Sequence, residues 1–321
     1  MNNIFKQISK IIKENENIII IAHKGIDLDA IGSSLALYKI IESYDKKPFI
    51  FINNMDQNVT IKKSVEKLYE NNIQINFINE KNLTNYNDDN TLVIILDTNK
   101  RDLLEYPEIL NIYSKRVIID HHIKNDSYIA DNKIVYINND VSSVCEIMVN
   151  YLKYTNVTIH PIIATIMLAG IEVDTNGFNL KTSSETFETA SYLIKMGANN
   201  VEKQKLLKEN KENYCKRQDF VKKSYMINKN MALCLMDEKI YKRYELALIS
   251  EDLLQFDDVE ASFTIGYIEK NVVGISARSI GEVDVEKIME KMGGGGHKTD
   301  AASCIENASI KEVKENLIKN I

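Results

Sequence analysis

Short runs of isoleucine, valine and leucine set the strongest limit on how the first part of this sequence can fold. IIII at 18–21, LVIIL at 92–96 and VII at 117–119 contain no alternating polar residues. Such runs are typical of strands buried on both faces, as in a parallel sheet covered by helices. Helical patterns separate them, so we predict a doubly wound α/β domain. The predicted strands are Ile18–Ala22, Pro48–Asn53, Ile75–Ile78, Thr91–Asp97, Arg116–Asp120 and Lys133–Ile137.

The length of 321 residues exceeds what one hydrophobic core usually supports, so the sequence predicts two domains. The α/β pattern covers residues 1–190, and a helical connector over 191–225 follows it. Beyond the connector come the predicted strands MALCLM, ASFTIGYIE and VVGISAR, the last two joined as a hairpin across Lys270 and Asn271. A helix and a final strand follow. We therefore predict a smaller α+β domain over residues 226–321.

Charge, cysteine usage and hydropathy limit the partners of the chain. The formal net charge of −6 argues against duplex nucleic acid, although a small anionic ligand is allowed if bound cations supply positive charge. The four cysteines form no CxxC pair, which favours a reducing compartment. No apolar run approaches the ~20 residues of a membrane helix. We expect no membrane segment in this chain and a cytoplasmic location, with a membrane anchor only if the chain is a fragment of a longer protein.

Acidic and imidazole side chains recur where the apolar runs end. In open α/β sheets, ligands gather beyond the carboxyl ends of the strands. A single aspartate at such a position is often only a helix cap or a turn residue. The alternative to a shared site is therefore four unrelated capping or salt-bridged aspartates. Four clusters at one sheet edge are much less expected by chance. They are His23 with Asp27 and Asp29, Asp97, Asp120 with His121 and His122, and Asp174.

The chemistry of these clusters indicates metal ions. Carboxylates that converge on one site raise one another's pKa unless cations lie among them. Two divalent cations bridged by one carboxylate resolve that conflict, and such a pair polarises a phosphoryl oxygen and activates water. Carboxylate and imidazole ligands without thiolates suit Mn²⁺, with Mg²⁺, Fe²⁺, Co²⁺ and Zn²⁺ as alternatives.

A glycine run in KMGGGGHKTDAAS is the last candidate site. Four consecutive glycines cost backbone entropy, so we expect positive φ or a close backbone approach there. Backbone NH groups of such a loop, with His297, would make a nest for phosphate. Arg278, at the end of VVGISARS, has a guanidinium suited to clamping a phosphate or stacking on a base. The alternatives are a flexible turn for the glycines and a surface role for Arg278.

These motifs occur in the order of a known superfamily. HKGIDLDAIGS, the strand that ends at Asp97, IDHH, VDTNGF and GGGGH together resemble the DHH phosphoesterases that carry a DHH-associated C-terminal domain. The segments AGIEVDTNGFNLKTSSETFETASYL and GISARSIGEVDVEKIMEKMGGGGHKTDAA look like the catalytic part of bacterial cyclic-di-AMP phosphodiesterases. The oligoribonuclease and pAp-phosphatase branch shares every metal motif. The membrane-anchored phosphodiesterases carry further regions ahead of this part, so we expect either a catalytic fragment or a stand-alone enzyme.

The resemblance implies a role for each matching residue. His23 and Asp27 would hold one Mn²⁺, a second set of ligands would hold the other, and Asp97 would bridge them. His122 would face the substrate phosphate, while Asp120, outside the set of metal ligands, would fix an imidazole tautomer. The second set of metal ligands is Asp29, His121 and Asp174. The residues implied to bind substrate, across a cleft between the domains, are Arg278, Gly294, Gly295, Gly296 and His297.

The expected function is a Mn²⁺-dependent phosphodiesterase that hydrolyses cyclic di-AMP to pApA, and onward to AMP as an open second step. The alternative enzyme acts on short linear oligoribonucleotides or pAp. A nucleotide sensor with an inactive metal site is a third hypothesis, which the complete ligand set disfavours. The expected partner is therefore a cyclic or short linear dinucleotide, and a homodimer is carried as a hypothesis for assembly.

Overall fold

The structure is a computed structural model that describes residues 2–55, 58–86, 88–124 and 128–321. The chain forms two compact units, Met1–Lys208 and Glu209–Ile321. The division between them falls inside the segment predicted as a helical connector. Among the described residues, no helix combines the length and the apolar character that crossing a membrane requires.

The first unit is built on a parallel six-stranded sheet in the order β3-β2-β1-β4-β5-β6. This confirms the predicted doubly wound architecture and all six predicted strands to within a few residues. The strand order reverses between β1 and β4, and ligands of such sheets collect at that reversal. The strands are β1 (Asn17–Ile21), β2 (Lys47–Phe51), β3 (Phe77–Ile78), β4 (Thr91–Leu96), β5 (Arg116–Asp120) and β6 (Ile134–Ile137).

Helices and 3₁₀ turns cover the sheet on both faces. Ile18 and Ile20 pack against the helices of one face, while Ile19 and Ile21 pack against Tyr113 and its neighbours on the other. Burial on both faces explains why these strands show no polar alternation. The helices are α1 (Asn2–Lys13), α2 (Leu28–Glu42), α3 (Val59–Glu70), α4 (Ile109–Ile112), α5 (Val144–Thr155), α6 (Pro161–Asp174), α7 (Ser184–Lys195) and α8 (Asn200–Leu207). The 3₁₀ turns are Glu80–Asn85, Asp88–Asn90 and Arg101–Leu103.

Close contact between α2 and α6 depends on Gly170. A Cβ atom built on Gly170 would lie 2.7 Å from the Leu28 carbonyl oxygen and 2.8 Å from the Asp29 Cα atom. No side chain fits at that distance, so α6 approaches the first turn of α2 only because position 170 is glycine. The contact places the end of α6 beside the start of α2.

One expectation about this unit is wrong. Asp174 was grouped with carboxylates at strand ends, but it is the last residue of helix α6. Ten residues of PIIATIMLAGIEVD are buried, and a helix that is apolar nearly all round carries no clear 3.6-residue period. The sequence therefore did not distinguish this helix from a buried strand.

The second unit is a mixed sheet in the order β11-β12-β10-β9-β8-β7, in which β8 and β9 are parallel. This confirms the predicted α+β class and the hairpin of β9 and β10, whose turn residue Asn271 has φ +63°. The strands are β7 (Tyr225–Met226), β8 (Met231–Ile240), β9 (Ala261–Glu269), β10 (Val272–Ser279), β11 (Gly295–His297) and β12 (Asp300–Glu306). The helices are α9 (Lys211–Val221), α10 (Arg243–Leu253), α11 (Val285–Lys291) and α12 (Ile310–Asn320).

The glycine run also differs from the expected loop. Gly295–His297 form strand β11, which pairs antiparallel with β12. A Cβ atom would lie 2.1 Å from the Ala302 carbonyl oxygen at Gly294, and 2.3 Å from the Asp300 carbonyl oxygen at Gly296. These two glycines therefore have a packing reason that is independent of any ligand. At Gly295, by contrast, no described atom lies within 4 Å of a built Cβ.

Candidate metal centre

The first group of ligand atoms lies just beyond β1 and β4. His23 Nε2 is 3.4 Å from Asp97 Oδ2 and 3.5 Å from Asp27 Oδ2. Asp27 is also the N-cap of α2, because its Oδ1 accepts a hydrogen bond of 3.0 Å from the Ala30 amide. Capping uses one oxygen and turns the other toward His23. Asp27 can therefore cap helix α2 with one oxygen and bind a metal ion with the other.

The second group lies on the other side of Asp97. His121 Nε2 is 3.4 Å from Asp97 Oδ1 and 3.4 Å from Asp174 Oδ2. One atom each of Asp29, His121 and Asp174 lie within 4.8 Å of one another. All six residues predicted as metal ligands thus converge, and a third group of Asp97, His121 and His122 joins these two sets at Asp97.

Asp97 itself has the features of a bridging ligand. Its side chain is only 3% exposed, and its two oxygens face the two groups separately. Oδ1 accepts no hydrogen bond from the described residues, and the facing imidazole nitrogens stand at 3.4 Å, longer than the 2.7–3.2 Å usual for a hydrogen bond. The backbone of Asp97 has φ +59°, which is uncommon for any residue but glycine. These donor atoms fit shared cations better than they fit one another.

The charges of the site need compensation. Burial, and then the neighbouring carboxylate Asp97, raise the pKa of Asp29 to about 7. Burial, and then Asp29, raise the pKa of Asp174 well above its ordinary value. Burial alone would raise the pKa of Asp97 too, but His121 and His23 outweigh it and lower that pKa. Divalent cations would relieve the same repulsion without protons.

Asp29 has a contact that the sequence did not reveal. Its Oδ2 accepts a hydrogen bond of 2.7 Å from the Val144 amide, and its Oδ1 accepts one of 2.7 Å from the Cys145 amide. Val144 begins helix α5, so the carboxylate sits at the positive end of that helix. The distance in sequence between Asp29 and α5 left no local signal for this contact.

Asp120 and His122 form a second polar arrangement beside the ligands. Asp120 is fully buried, and its Oδ1 lies 2.8 Å from His122 Nδ1. The Asn99 side-chain amide donates to Asp120 Oδ2 at 2.6 Å and to the His122 carbonyl oxygen at 3.3 Å. Although His122 Nδ1 is also 3.6 Å from Asp97 Oδ1, the shorter contact assigns it to Asp120. Sequence reasoning missed Asn99, whose signal was its position two residues after Asp97 at the same strand end.

The residues predicted to bind substrate lie in the second unit, where Asp300 connects them. In the sheet register, Asp300 is the partner of both Arg278 on β10 and His297 on β11. Arg278 Nη1 donates to Asp300 Oδ1 at 2.5 Å, and Arg278 Nε donates to Glu251 Oε1 at 3.2 Å. The guanidinium is therefore already paired with two carboxylates, a contact the sequence analysis did not anticipate. A cavity of about 230 Å³ lies beside it, lined in part by Arg243, Tyr244, Ser276 and Ser303.

Two family models match this chain. The DHH family N-terminal domain matches residues 17–171, and the DHHA1 domain matches residues 228–321. Every predicted metal ligand except Asp174 lies within the first match, and the glycine run and Arg278 lie within the second.

Two relatives whose names state an enzymatic activity are similar to this chain. The chain is 35% identical over 317 residues to the cyclic-di-AMP phosphodiesterase GdpP of Bacillus subtilis (strain 168), covering 97% of this chain and 48% of that protein. It is 26% identical over 324 residues to the bifunctional oligoribonuclease and PAP phosphatase NrnA of Mycoplasma genitalium, covering 97% of this chain and 95% of that one. The chain thus spans about half the length of the GdpP relative.

The crystal structure of an exopolyphosphatase-related protein from Bacteroides fragilis has a TM-score of 0.78 to this chain at 18% identity. The match covers 99% of this chain and 96% of the Bacteroides fragilis chain. At this identity the likeness concerns the fold, and it supports the arrangement of elements described above.

Proposed function

The chain belongs to the DHH family and carries a DHHA1 domain, and on this premise we propose that it is a metal-dependent phosphodiesterase that hydrolyses cyclic di-AMP to pApA. The observation that carries the proposal is the pair of ligand groups that meet at Asp97. The similarity to GdpP, a cyclic-di-AMP phosphodiesterase by name, supports the choice of substrate. A cytoplasmic location, a homodimer and onward cleavage to AMP stay predictions.

Each group of ligands would hold one divalent cation, with Mn²⁺ as the proposed ion. His23 and Asp27 would hold one ion, and Asp97 would contribute an oxygen to each. Bound there, the cations would polarise a phosphoryl oxygen and supply the positive charge that a phosphodiester requires. The ligands of the other ion would be Asp29, His121 and Asp174.

The chain's own residues would position the substrate. Asp120 Oδ1 lies 2.8 Å from Nδ1 of His122, which fixes the orientation of the ring. Nε2 of His122 would then face a phosphoryl oxygen of the substrate, where negative charge develops. Asn99 holds Asp120 in place from the other side. We propose that His122 acts on the substrate and that Asp120 and Asn99 position it.

In the second unit, we propose that Arg278, His297 and Gly294–Gly296 bind the nucleotide. Gly295 supports this most directly, because it is the glycine of β11 with open space at the Cβ position and an ordinary φ. Arg278 would have to exchange Asp300 or Glu251 for the phosphate, so its contribution to binding is smaller than that of an unpaired arginine.

A specific observation favours the alternative of a short linear substrate. The chain is also similar, over 97% of its length, to NrnA, which by name is a bifunctional oligoribonuclease and PAP phosphatase. A cyclic dinucleotide has no terminal phosphate, while pAp and short RNA do. In a cyclic dinucleotide and in a short RNA the metal ligands would meet the same internal phosphodiester, whereas pAp carries only phosphate monoesters.

A comparison of initial rates tests the proposal. The protein with Mn²⁺ is incubated separately with cyclic di-AMP, cyclic di-GMP, pApA, pAp and a short RNA, and the products are separated by chromatography. We expect cyclic di-AMP to yield pApA, and to be consumed faster than cyclic di-GMP. Rapid use of pAp or short RNA with intact cyclic di-AMP would replace the proposal with the alternative.

A further inference from the structure

Two phenylalanines stack on each other in the part of the chain that follows the metal ligand Asp174. The rings of Phe178 and Phe187 have centroids 5.7 Å apart and an angle of 20° between their planes. Phe178 is half-buried against the core of the first unit, whereas Phe187 is 57% exposed. Single exposed apolar side chains are ordinary on protein surfaces. A stacked pair whose outer ring stays in water is less ordinary.

The backbone holds Phe178 in an unfavourable conformation. Phe178 has φ +65°, which is a genuine outlier for a bulky residue. Its amide donates to the Thr175 hydroxyl at 2.9 Å, and Thr175 is fully buried. Asn176, Gly177 and Lys181 also have positive φ. Strain of this kind persists where surrounding contacts over-determine it, and it concentrates at ligand-binding sites.

The other half of the pair is tied to the same site by side chains. The Thr186 hydroxyl, next to Phe187, donates to Glu146 Oε2 at 3.0 Å. The same oxygen accepts from the Ser142 hydroxyl at 2.6 Å and from the Ser142 amide at 3.2 Å. Ser142 leads into helix α5, whose first amides hold Asp29. Thus Phe178 is connected to the ligand Asp174 along the chain, and Phe187 is connected to the ligand Asp29 through Glu146.

A positive charge completes the segment. Lys181 is exposed and lies in the same loop. Lys181 follows the metal ligand Asp174 by seven residues, in the loop that also holds Phe178. The exposed ring of Phe187 suits the base of a nucleotide, and the ammonium of Lys181 suits its phosphate.

We propose that the Phe178–Phe187 pair is a stacking platform for a nucleobase of the substrate and that Lys181 contacts its phosphate. The proposal rests on the proposed function and adds where in the first unit the base binds. Stacking requires a flat ring with an exposed face, which Phe187 supplies, and a fixed orientation, which Phe178 and Thr186 supply. A base that stacks there also removes the exposed ring from water.

The test separates the base from the phosphate. Binding of AMP and of ribose 5-phosphate, which lacks the base, is measured by calorimetry with Mn²⁺ for the wild type and for variants. Base–aromatic stacking contributes roughly 1–3 kcal/mol, so Phe187→Ala should weaken AMP binding by about 5- to 150-fold. It should leave ribose 5-phosphate unchanged, and Phe187→Tyr should restore AMP binding. Lys181→Gln should weaken both ligands by the same factor.

Tyr69→Ala is the matched control, because Tyr69 is an exposed aromatic on α3, at 61% exposure. It should change neither ligand. Equal affinities of the wild type for AMP and ribose 5-phosphate, or an unchanged AMP affinity in Phe187→Ala, would overturn the platform. If cyclic di-AMP is still hydrolysed in that case, the proposed function stands alone. If the wild type neither binds nor hydrolyses any nucleotide, both fail.

Discussion

The two units of this chain hold their polar residues in different states. In the first unit the ligand atoms face one another at 3.4–3.5 Å, and Asp97 Oδ1 accepts no hydrogen bond from the described residues. In the second unit Arg278 is bonded to Asp300 and Glu251. The donor atoms of the first unit could hold cations, whereas the guanidinium of the second unit is already paired with carboxylates. We infer that the polar groups of the first unit are placed for binding cations. In the second unit, Arg278 would have to break a contact with Asp300 or Glu251 before it could bind a ligand.

The largest expected effect comes from Gly170→Ala in the first unit. The added methyl group would meet the backbone of Leu28 and Asp29, neither of which can move as a flexible side chain would. Overpacking of this kind costs about 1–3 kcal/mol, and here it would also displace Asp29, a proposed metal ligand. Denaturant unfolding should show the lost stability, and calorimetry should show weaker Mn²⁺ binding. An alanine variant with wild-type stability and metal affinity would contradict the packing described here.

The second unit offers a matched pair of glycines. Gly294→Ala should destabilise this unit by about 1–3 kcal/mol, because its methyl group would overlap the Ala302 carbonyl. Gly295→Ala should leave thermal unfolding unchanged, since no described atom lies within 4 Å of that position, yet weaken nucleotide binding. Equal melting temperatures for both variants would remove the steric distinction between them. Unchanged nucleotide affinity in Gly295→Ala would mean that no ligand approaches there.

Asp120→Asn probes the residues that position His122. The variant keeps the size of the side chain but replaces the carboxylate that lies 2.8 Å from His122 Nδ1 with a neutral amide. Loss of such an orienting partner typically costs 10- to 100-fold in activity or metal affinity, and we expect a fall of about that size in kcat. The KM should change much less. A higher KM with a normal kcat would instead indicate that Asp120 contributes to substrate binding.

The smallest effect is expected at Arg278. An unpaired arginine contact to phosphate contributes roughly 1.5–3 kcal/mol, but here two carboxylates compete for the guanidinium. Arg278→Lys should therefore lower kcat/KM by less than about tenfold and leave Mn²⁺ binding intact. A loss of 100-fold or more in this variant would show that Arg278 binds the substrate at full strength, and the contrast between the units would fail.

Sequence reasoning succeeded where the determinants were local. The carboxyl ends of parallel strands meet at one edge of the sheet, so His23, Asp97 and His121 could be grouped from the sequence alone. It failed where the reason was a distant partner. Gly294 and Gly296 are glycines because β12 packs against them, and Asp29 meets helix α5 across more than a hundred residues. The paired state of Arg278 likewise depends on the register of β10 and β12, which the sequence does not state.

The most direct test of the account is the number of Mn²⁺ ions that the protein binds with and without the Asp97 carboxylate. Calorimetric titration and metal analysis are applied to the wild type, to Asp97→Asn, and to the control Asp102→Asn, which changes an exposed aspartate of the same unit. We predict two equivalents per chain in the wild type and the control. In Asp97→Asn we predict loss of most bound metal with an unchanged fold by circular dichroism. Two equivalents retained at wild-type affinity in Asp97→Asn would contradict the bridging role.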